Sequence, residues 1–118
     1  MLTRSEEMLN SQNYLIQETS TRAKLADILK IHDLRYINSI KSSVRLSEIR
    51  DELVKFDRDS LISAHTWNAA LLASGALTQA CDQIMAGKAR NAFCAIRPPG
   101  HHAGVFGKTF QNNVCDQE

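Results

Sequence analysis

Apolar positions in the first half of the chain recur mostly at helical spacing. Between residues 23 and 41 the apolar and aromatic residues fall three and four positions apart, which predicts one or two amphipathic helical segments. Residues 46–56 repeat this pattern more weakly. Residues 4–18 are polar with scattered apolar positions, which indicates a helix or a loop. This half of the chain is therefore predicted to be mainly helical.

The clearest predicted element is a helix over residues 60–86. Asp59 or Ser60 would cap its N-terminus with a side-chain oxygen, and Gly87 suits the left-handed residue that ends many helices. Trp67 belongs to its main apolar stripe and is predicted to lie in the core. A second strip of small residues, which would let another element approach closely, lies beside that stripe: Ala69, Ala73, Ala76 and Ala80.

A short apolar run follows the long helix. Residues 92–96 are apolar without alternation, which is typical of a strand buried on both faces of a parallel sheet. Pro98 cannot donate a hydrogen bond to a sheet and would end the strand. Such a strand needs neighbouring strands, and only residues 27–31 offer a weak candidate. The pattern predicts an α/β fold of which this chain forms one helix-rich corner.

Length, charge and composition narrow the class of protein. A chain of 118 residues holds one domain at most. Its formal net charge of +1 lacks the basic excess that nucleic-acid binders show. No apolar run approaches the roughly 18 residues needed to cross a bilayer, and residues 1–7 lack the basic and then apolar order of a signal peptide. We therefore expect neither direct nucleic-acid binding nor a membrane-spanning protein.

The strongest chemical signal is the octapeptide RPPGHHAG at residues 97–104. It places His101 and His102 at the carboxyl end of the predicted strand, where open α/β sheets usually keep their sites. Gly100 allows backbone conformations that other residues avoid and leaves room for a ligand. Imidazole takes up and releases a proton near neutral pH, so one ring can act as a base while the other stabilises charge. For a histidine pair taken alone, an exposed loop without function is the competing interpretation.

Other arrangements are weaker candidates. Residues 104–109 end like a phosphate-binding loop but lack its first glycine and a following helix. Cys94 and Cys115 with the histidine pair match no standard zinc spacing, and Cys94 is predicted to be core. The three cysteines are widely spaced, which argues against a disulfide framework and favours a reducing compartment. His32 and His65 lie on helical stretches, where structural roles are expected.

The octapeptide resembles a signature of the histone deacetylase family, the zinc-dependent deacetylases of the arginase-like fold, especially its class II members. Three upstream segments are also similar to that family: residues 31–37, residues 59–76, and residues 86–93 leading into the octapeptide. The likeness covers roughly residues 23–104. It implies the helix-rich N-terminal portion of an arginase/deacetylase-type parallel-sheet domain. Residues 23–118 would form this partial domain, and residues 1–22 a preceding polar segment.

The resemblance also implies roles for individual residues. His102 corresponds to the general base that activates a zinc-bound water, and His101 to the partner that orients that water or supports the transition state. Asp59 with Ser60 resembles a rim position that hydrogen-bonds the substrate, and Gly100 joins them as a predicted substrate-binding residue. The implied reaction hydrolyses an acetyl-lysine of a histone or another protein to lysine and acetate, with zinc as the Lewis acid. Corepressor partners and a nuclear or cytoplasmic location are also implied.

The metal ligands of the family have no counterpart in this sequence. The family holds zinc with an Asp-x-His pair and a second Asp, and an oxyanion-stabilising tyrosine follows later. No aspartate here has a histidine two positions on. We therefore expect no metal site within these residues and no turnover by the isolated chain. The alternative is a non-catalytic form that acts as an interaction or competitor module, whereas an unrelated helical adaptor would make the octapeptide a coincidence.

Overall fold

Helices dominate the part of the chain that the structure describes. The computed structural model describes residues 15–58, 60–100 and 103–107. None of the described helices is both long and apolar enough to cross a membrane. The elements follow one another as α1 (Leu25–Ile28), α2 (Leu34–Arg50), β1 (Val54–Lys55), β2 (Leu61–Ile62) and α3 (Thr66–Met85).

The amphipathic pattern of residues 23–41 forms α1 and the first part of α2, which confirms the predicted helical segments. α2 begins after Asp33, whose carboxylate accepts a hydrogen bond from the backbone N–H of Arg35 at 2.8 Å and so caps the helix. The weak strand predicted at residues 27–31 is wrong, because these residues form the end of α1 and the turn after it. Their amides find partners three and four residues back, so they need no neighbouring strand.

The long helix α3 begins at Thr66, six residues later than residue 60. Before it, β1 and β2 pair antiparallel, with Val54 opposite Ile62, and the N–H of Phe56 donates to the carbonyl of Ser60 at 2.9 Å. Ser60 is therefore part of a hairpin and does not cap α3, while Asp59 lies outside the described residues. The weaker apolar pattern of residues 46–56 is divided between α2 and this hairpin.

The end of α3 is the one predicted from Gly87. This residue has a φ of 78°, in the left-handed region that glycine adopts without steric cost. Its N–H donates to the carbonyl of Ile84 at 3.1 Å, and the N–H of Lys88 donates to the carbonyl of Gln83 at 2.9 Å. These two bonds form a Schellman motif, which satisfies carbonyls that a helix end otherwise leaves open.

The core lies between α2, the hairpin and α3. Its buried apolar side chains come from all three elements: Ile37, Val44, Ile62, Leu71 and Ala73. The preceding segment 18–23 also lies against α3, where the N–H of Ala23 donates to the carbonyl of Leu71 at 2.9 Å. Gly75 is so close to the backbone of Thr21 that a Cβ on Gly75 would overlap it. Close approach to α3 was predicted, although Gly75 was not part of the predicted small strip.

Residues 92–96 do not form the doubly buried strand that their apolar run predicts. They belong to no helix or strand, and the Phe93 side chain is 93% exposed. Cys94 is half-buried and its thiol donates to the carbonyl of Ala76 at 3.7 Å. The physical reason is that a central strand needs a neighbour on each side, and the only sheet among the described residues is the hairpin of β1 and β2.

Candidate functional site

The histidine pair, His101 and His102, lies outside the described residues, but the residues on both sides of it are held together. The N–H of Ala103 donates to the carbonyl of Gly100 at 3.0 Å. Gly100 has a φ of 82°, which confirms the backbone freedom expected of it. Among the described residues, a Cβ at Gly100 would meet no atom within 4 Å, so the space on that side is open to them. Its predicted part in substrate binding stays a prediction.

The segment after the pair is attached to the start of α2. Nδ1 of His32 lies 2.8 Å from the carbonyl oxygen of Gly104. The backbone N–H of Asp33 donates to the carbonyl oxygen of Val105 at 2.9 Å. We call these two contacts the 32–105 clamp. They confirm the structural role expected of His32.

A cluster of aromatic rings lies next to the 32–105 clamp and also contacts the described residues that follow the histidine pair. The ring of Tyr36 lies 5.4 Å from that of His32 and 6.2 Å from that of Phe56, measured between centroids. A Cβ on Gly107 would overlap the Tyr36 ring, so the backbone of Gly107 lies directly on this ring. Burial raises the pKa of the Tyr36 hydroxyl, and the negative charge of Asp57 raises this pKa further. Tyr36 therefore remains a neutral phenol at physiological pH.

The hairpin links Ser60 to this aromatic cluster through Phe56. Ser60 is exposed, and its carbonyl closes the hairpin by accepting the N–H of Phe56. Because the Phe56 ring packs near Tyr36, the hairpin is linked to the segment that follows the histidine pair. The rim role of Ser60 stays a prediction, and that of Asp59 falls outside the described residues.

Asp33 and Arg35 form an ion pair at the start of α2. Asp33 accepts hydrogen bonds from both the backbone N–H and the Nε of Arg35, the second at 3.1 Å. These two bonds hold the pKa of the Asp33 carboxyl below its usual value. The carboxylate is therefore charged at neutral pH, and it is already used as a helix cap and ion-pair partner.

Within residues 15–58, 60–100 and 103–107, no three histidine, cysteine or acidic side chains come together as a metal site. His32 uses Nδ1 for the clamp. Cys94 is engaged with the carbonyl of Ala76 and Cys81 is exposed elsewhere on α3. The described residues therefore do not fit the zinc ion that the family resemblance implies.

Two grooves lie away from the clamp. One, of about 490 Å³, lies between α2 and the start of α3, where the ammonium of Lys41 stands 4.9 Å from the centroid of the half-buried Trp67 ring. The other, of about 610 Å³, lies between residues 21–27 and the second half of α3. Neither groove is lined by the described residues 97–100 or 103–107. The described residues after the histidine pair are thus attached to the start of α2 by hydrogen bonds to their backbone carbonyls, and the spacing of apolar residues gives no sign of such a contact across 72 positions.

Comparisons with known proteins agree with this arrangement. The family model described as histone deacetylase domain matches residues 1–115. A probable deacetylase of Archaeoglobus fulgidus is 30% identical over 115 residues, which cover 95% of this chain and 30% of that protein. A type-2 histone deacetylase 2 of Dictyostelium discoideum is 49% identical over 51 residues, or 43% of this chain and 3% of that protein.

A solved structure, described as the HDA15 HD domain, has a similar fold. The TM-score is 0.74 at 20% sequence identity, and the match covers 90% of this chain and 30% of that chain. This likeness confirms the arginase/deacetylase type of α/β fold, of which the described residues form a helix-rich part. The chain spans about 30% or less of the length of these relatives. Because the family model extends over nearly all its residues, the chain belongs to the histone deacetylase family.

Proposed function

We propose that this chain supplies the proton-handling part of a hydrolase that removes acetyl groups from lysine side chains. In this proposal His102 is the general base toward water, and His101 orients that water and supports the developing charge. The observation that carries it is the anchoring of the backbone around the pair, by the Gly100–Ala103 bond and the 32–105 clamp. A general base works only when its proton acceptor is held within hydrogen-bond reach of the reacting group.

The substrate in this proposal is an acetylated lysine of a histone or another protein. Asp59 and Ser60 would hydrogen-bond the substrate backbone or amide at the rim, and Gly100 would leave room for the substrate. The link from Phe56 through Tyr36 to Gly107 supports this placement, because it holds the hairpin near the segment that follows the pair. Corepressor proteins as partners and a nuclear or cytoplasmic location belong to the same proposal, without direct binding of nucleic acid.

Zinc would supply Lewis-acid chemistry in a whole family domain. Since the described residues contain no fitting donor set, we assign them no step through the metal. Their proposed contribution is limited to proton transfer and to positioning of substrate and water.

The isolated chain of 118 residues is proposed to be inactive as a deacetylase. The direct test mixes the purified chain with zinc and an acetyl-lysine peptide and measures acetate release. We expect no release above a control without protein. Zinc-dependent turnover would contradict this part of the proposal, because it would require a metal site and an oxyanion donor among these residues.

The roles of His101 and His102 are tested in a longer protein, in which this chain is joined to the remaining part of a deacetylase domain. There we expect His102→Ala to lower kcat by about 10²- to 10⁴-fold, the usual contribution of a general base, while the zinc content stays unchanged. The matched control is His65→Ala, because the exposed His65 lies at the start of α3. Activity retained by His102→Ala would overturn the role of His102, and loss of zinc would show that it is a ligand.

A second candidate function is binding without catalysis, as an interaction or competitor module. The exposed apolar residues at and after the end of α3 favour it, since Met85 is 86% and Phe93 93% exposed. The proposed partner is the remaining part of a deacetylase domain. Mixing the chain with a relative's domain that lacks the corresponding segment should give a stable complex by size-exclusion chromatography. A chain that stays a monodisperse monomer in this mixture would argue against it.

A further inference from the structure

The groove between α2 and the start of α3 is lined mainly by polar and charged side chains. It has a volume of about 490 Å³. Lys41, Arg45 and Glu48 line it from α2, where spacings of three and four positions place them on one face of the helix. Trp67 and Asn68 belong to the opposite wall. The α2 wall thus carries two cations and one carboxylate.

One of these cations is held in place by an aromatic ring. The Lys41 ammonium lies 4.9 Å from the centroid of the Trp67 ring, within the range in which a ring face attracts a cation. The ring is half-buried and anchors a side chain that would otherwise sample many rotamers. Binding of a carboxylate to Lys41 therefore costs less side-chain entropy. The ammonium has three N–H donors, so it can hold the ring face and a carboxylate together.

The positive charges of the α2 wall are not neutralised by the described part of the chain. Lys41 and Arg45 form no ion pair with any acidic side chain in that part, although Glu48 follows Arg45 by only three positions. By contrast, Arg35 at the start of the same helix is paired with Asp33 at 3.1 Å. Both cations of the groove are therefore available to an anionic ligand.

We propose that this groove binds an extended acidic peptide of a partner protein, whose carboxylates contact Lys41 and Arg45. These two cations are four positions apart on a helix, about 6 Å along its axis. Side chains on one face of an extended peptide repeat at about 6.6 Å, so carboxylates at alternate positions match this spacing. The Asn68 amide can donate to the peptide from the other wall, and Glu48 repels acidic residues at one end.

This proposal concerns a surface separate from that of the proposed deacetylation. The groove is not lined by the described residues 97–100 or 103–107, and peptide binding is measured without any turnover. Failure to bind the peptide would therefore leave the proposed function as it is. Conversely, activity retained by His102→Ala in a longer protein would remove the proposed chemistry without affecting the groove.

The first experiment uses the fluorescence of Trp67, which is the only tryptophan in the sequence. The probe is the peptide Glu-Ser-Glu-Ser-Glu with blocked ends, and the control peptide has glutamine in place of each glutamate. Titrated into the 118-residue chain at low salt, only the acidic peptide should give a saturable change in emission. About 1 M salt should remove this change, because the Debye length is then about 3 Å. No saturable change, or an equal change with the glutamine peptide, would overturn the proposal.

The second experiment locates the binding on α2. Arg45→Ala should raise the dissociation constant of the acidic peptide about two- to fivefold, the usual effect of losing one exposed ion pair. The matched control is Arg50→Ala, because Arg50 is an exposed arginine on the same helix that does not line the groove. It should leave the dissociation constant unchanged. Equal weakening by both substitutions would show that only the total charge matters, and the proposed groove would be wrong.

A third measurement looks for a gain of binding, which a misfolded variant could not produce. Glu48→Gln removes the repelling carboxylate and should lower the dissociation constant about twofold. Glu52→Gln makes the same change in total charge at an exposed position outside the groove and should have no such effect. Binding that is unchanged or weaker in Glu48→Gln would contradict the proposal, as would an equal gain in Glu52→Gln.

Discussion

The packed face of α3 and the segment 92–96 are neighbouring apolar regions with very different surroundings. On α3, Leu71 is 7% exposed, and its carbonyl accepts a hydrogen bond from the N–H of Ala23 in the segment 18–23. Phe93, eight residues beyond the end of α3, is 93% exposed. A helix satisfies its own backbone and needs only side-chain neighbours, whereas a central strand also needs backbone partners. The helix can therefore form its backbone bonds from its own residues, whereas the run at 92–96 cannot.

The largest expected effect concerns the core beneath α2. Ile37 is 3% exposed, so Ile37→Ala removes buried methyl groups and leaves a cavity. We expect the free energy of unfolding to fall by about 2–5 kcal/mol, measured by urea titration of the 118-residue chain. The matched control is Ile49→Ala on the same helix, where the side chain is 72% exposed and the loss should stay below about 0.5 kcal/mol. Equal effects at both positions would mean that α2 does not bury the face described here.

The next effect concerns the contact between α3 and the segment 18–23. Replacing a helical glycine by alanine normally stabilises by about 0.5–1 kcal/mol. At Gly75 the added Cβ would collide with the backbone of Thr21 and Ala23, so we expect Gly75→Ala to destabilise by about 1–3 kcal/mol. Ser74→Ala, at the exposed neighbouring position, should be neutral or slightly stabilising. A stabilised Gly75→Ala variant in thermal unfolding would show that the segment does not lie there.

A smaller effect concerns pH and the cap of α2. The pKa of the Asp33 carboxyl is lowered in the folded chain by its bonds to Arg35. Its contribution to stability is therefore complete above the unfolded pKa, near 3.8, and is lost as the pH falls through the lower folded pKa. Asp33→Asn keeps an oxygen for capping but cannot titrate. We expect the melting temperature of this variant to depend less steeply on pH below about 4 than that of the natural chain. Curves of melting temperature against pH that run parallel for the two proteins would contradict this.

The smallest effect is expected in the exposed apolar run. Phe93→Ser should change the free energy of unfolding of the isolated chain by less than about 0.5 kcal/mol, because the ring has almost no covering neighbours. If the second candidate function holds, the same substitution should weaken the complex with the remaining part of a deacetylase domain. A strongly destabilised isolated chain would show that the segment is already packed.

Sequence reasoning predicted those features whose causes lie close together in the chain. The helical spacing of residues 23–41 and the termination at Gly87 needed only a few neighbouring positions. The start of α3 was placed too early because Asp59 and Ser60 are of the types that cap helices, whereas Leu61 and Ile62 pair with Lys55 and Val54 in the hairpin. The clamp could not be predicted, since nothing in the spacing of His32 indicates an acceptor at Gly104.

The 72 positions between His32 and Gly104 determine when their contact can form during synthesis of the chain on the ribosome. Chains are made from the N-terminus, so His32 leaves the ribosome many residues before the carbonyl to which it binds. α2 and α3 can form during this interval, because their hydrogen bonds are local. The 32–105 clamp can be completed only after residues 104 and 105 have emerged, so it forms after all the residues of α2 and α3 have been synthesised.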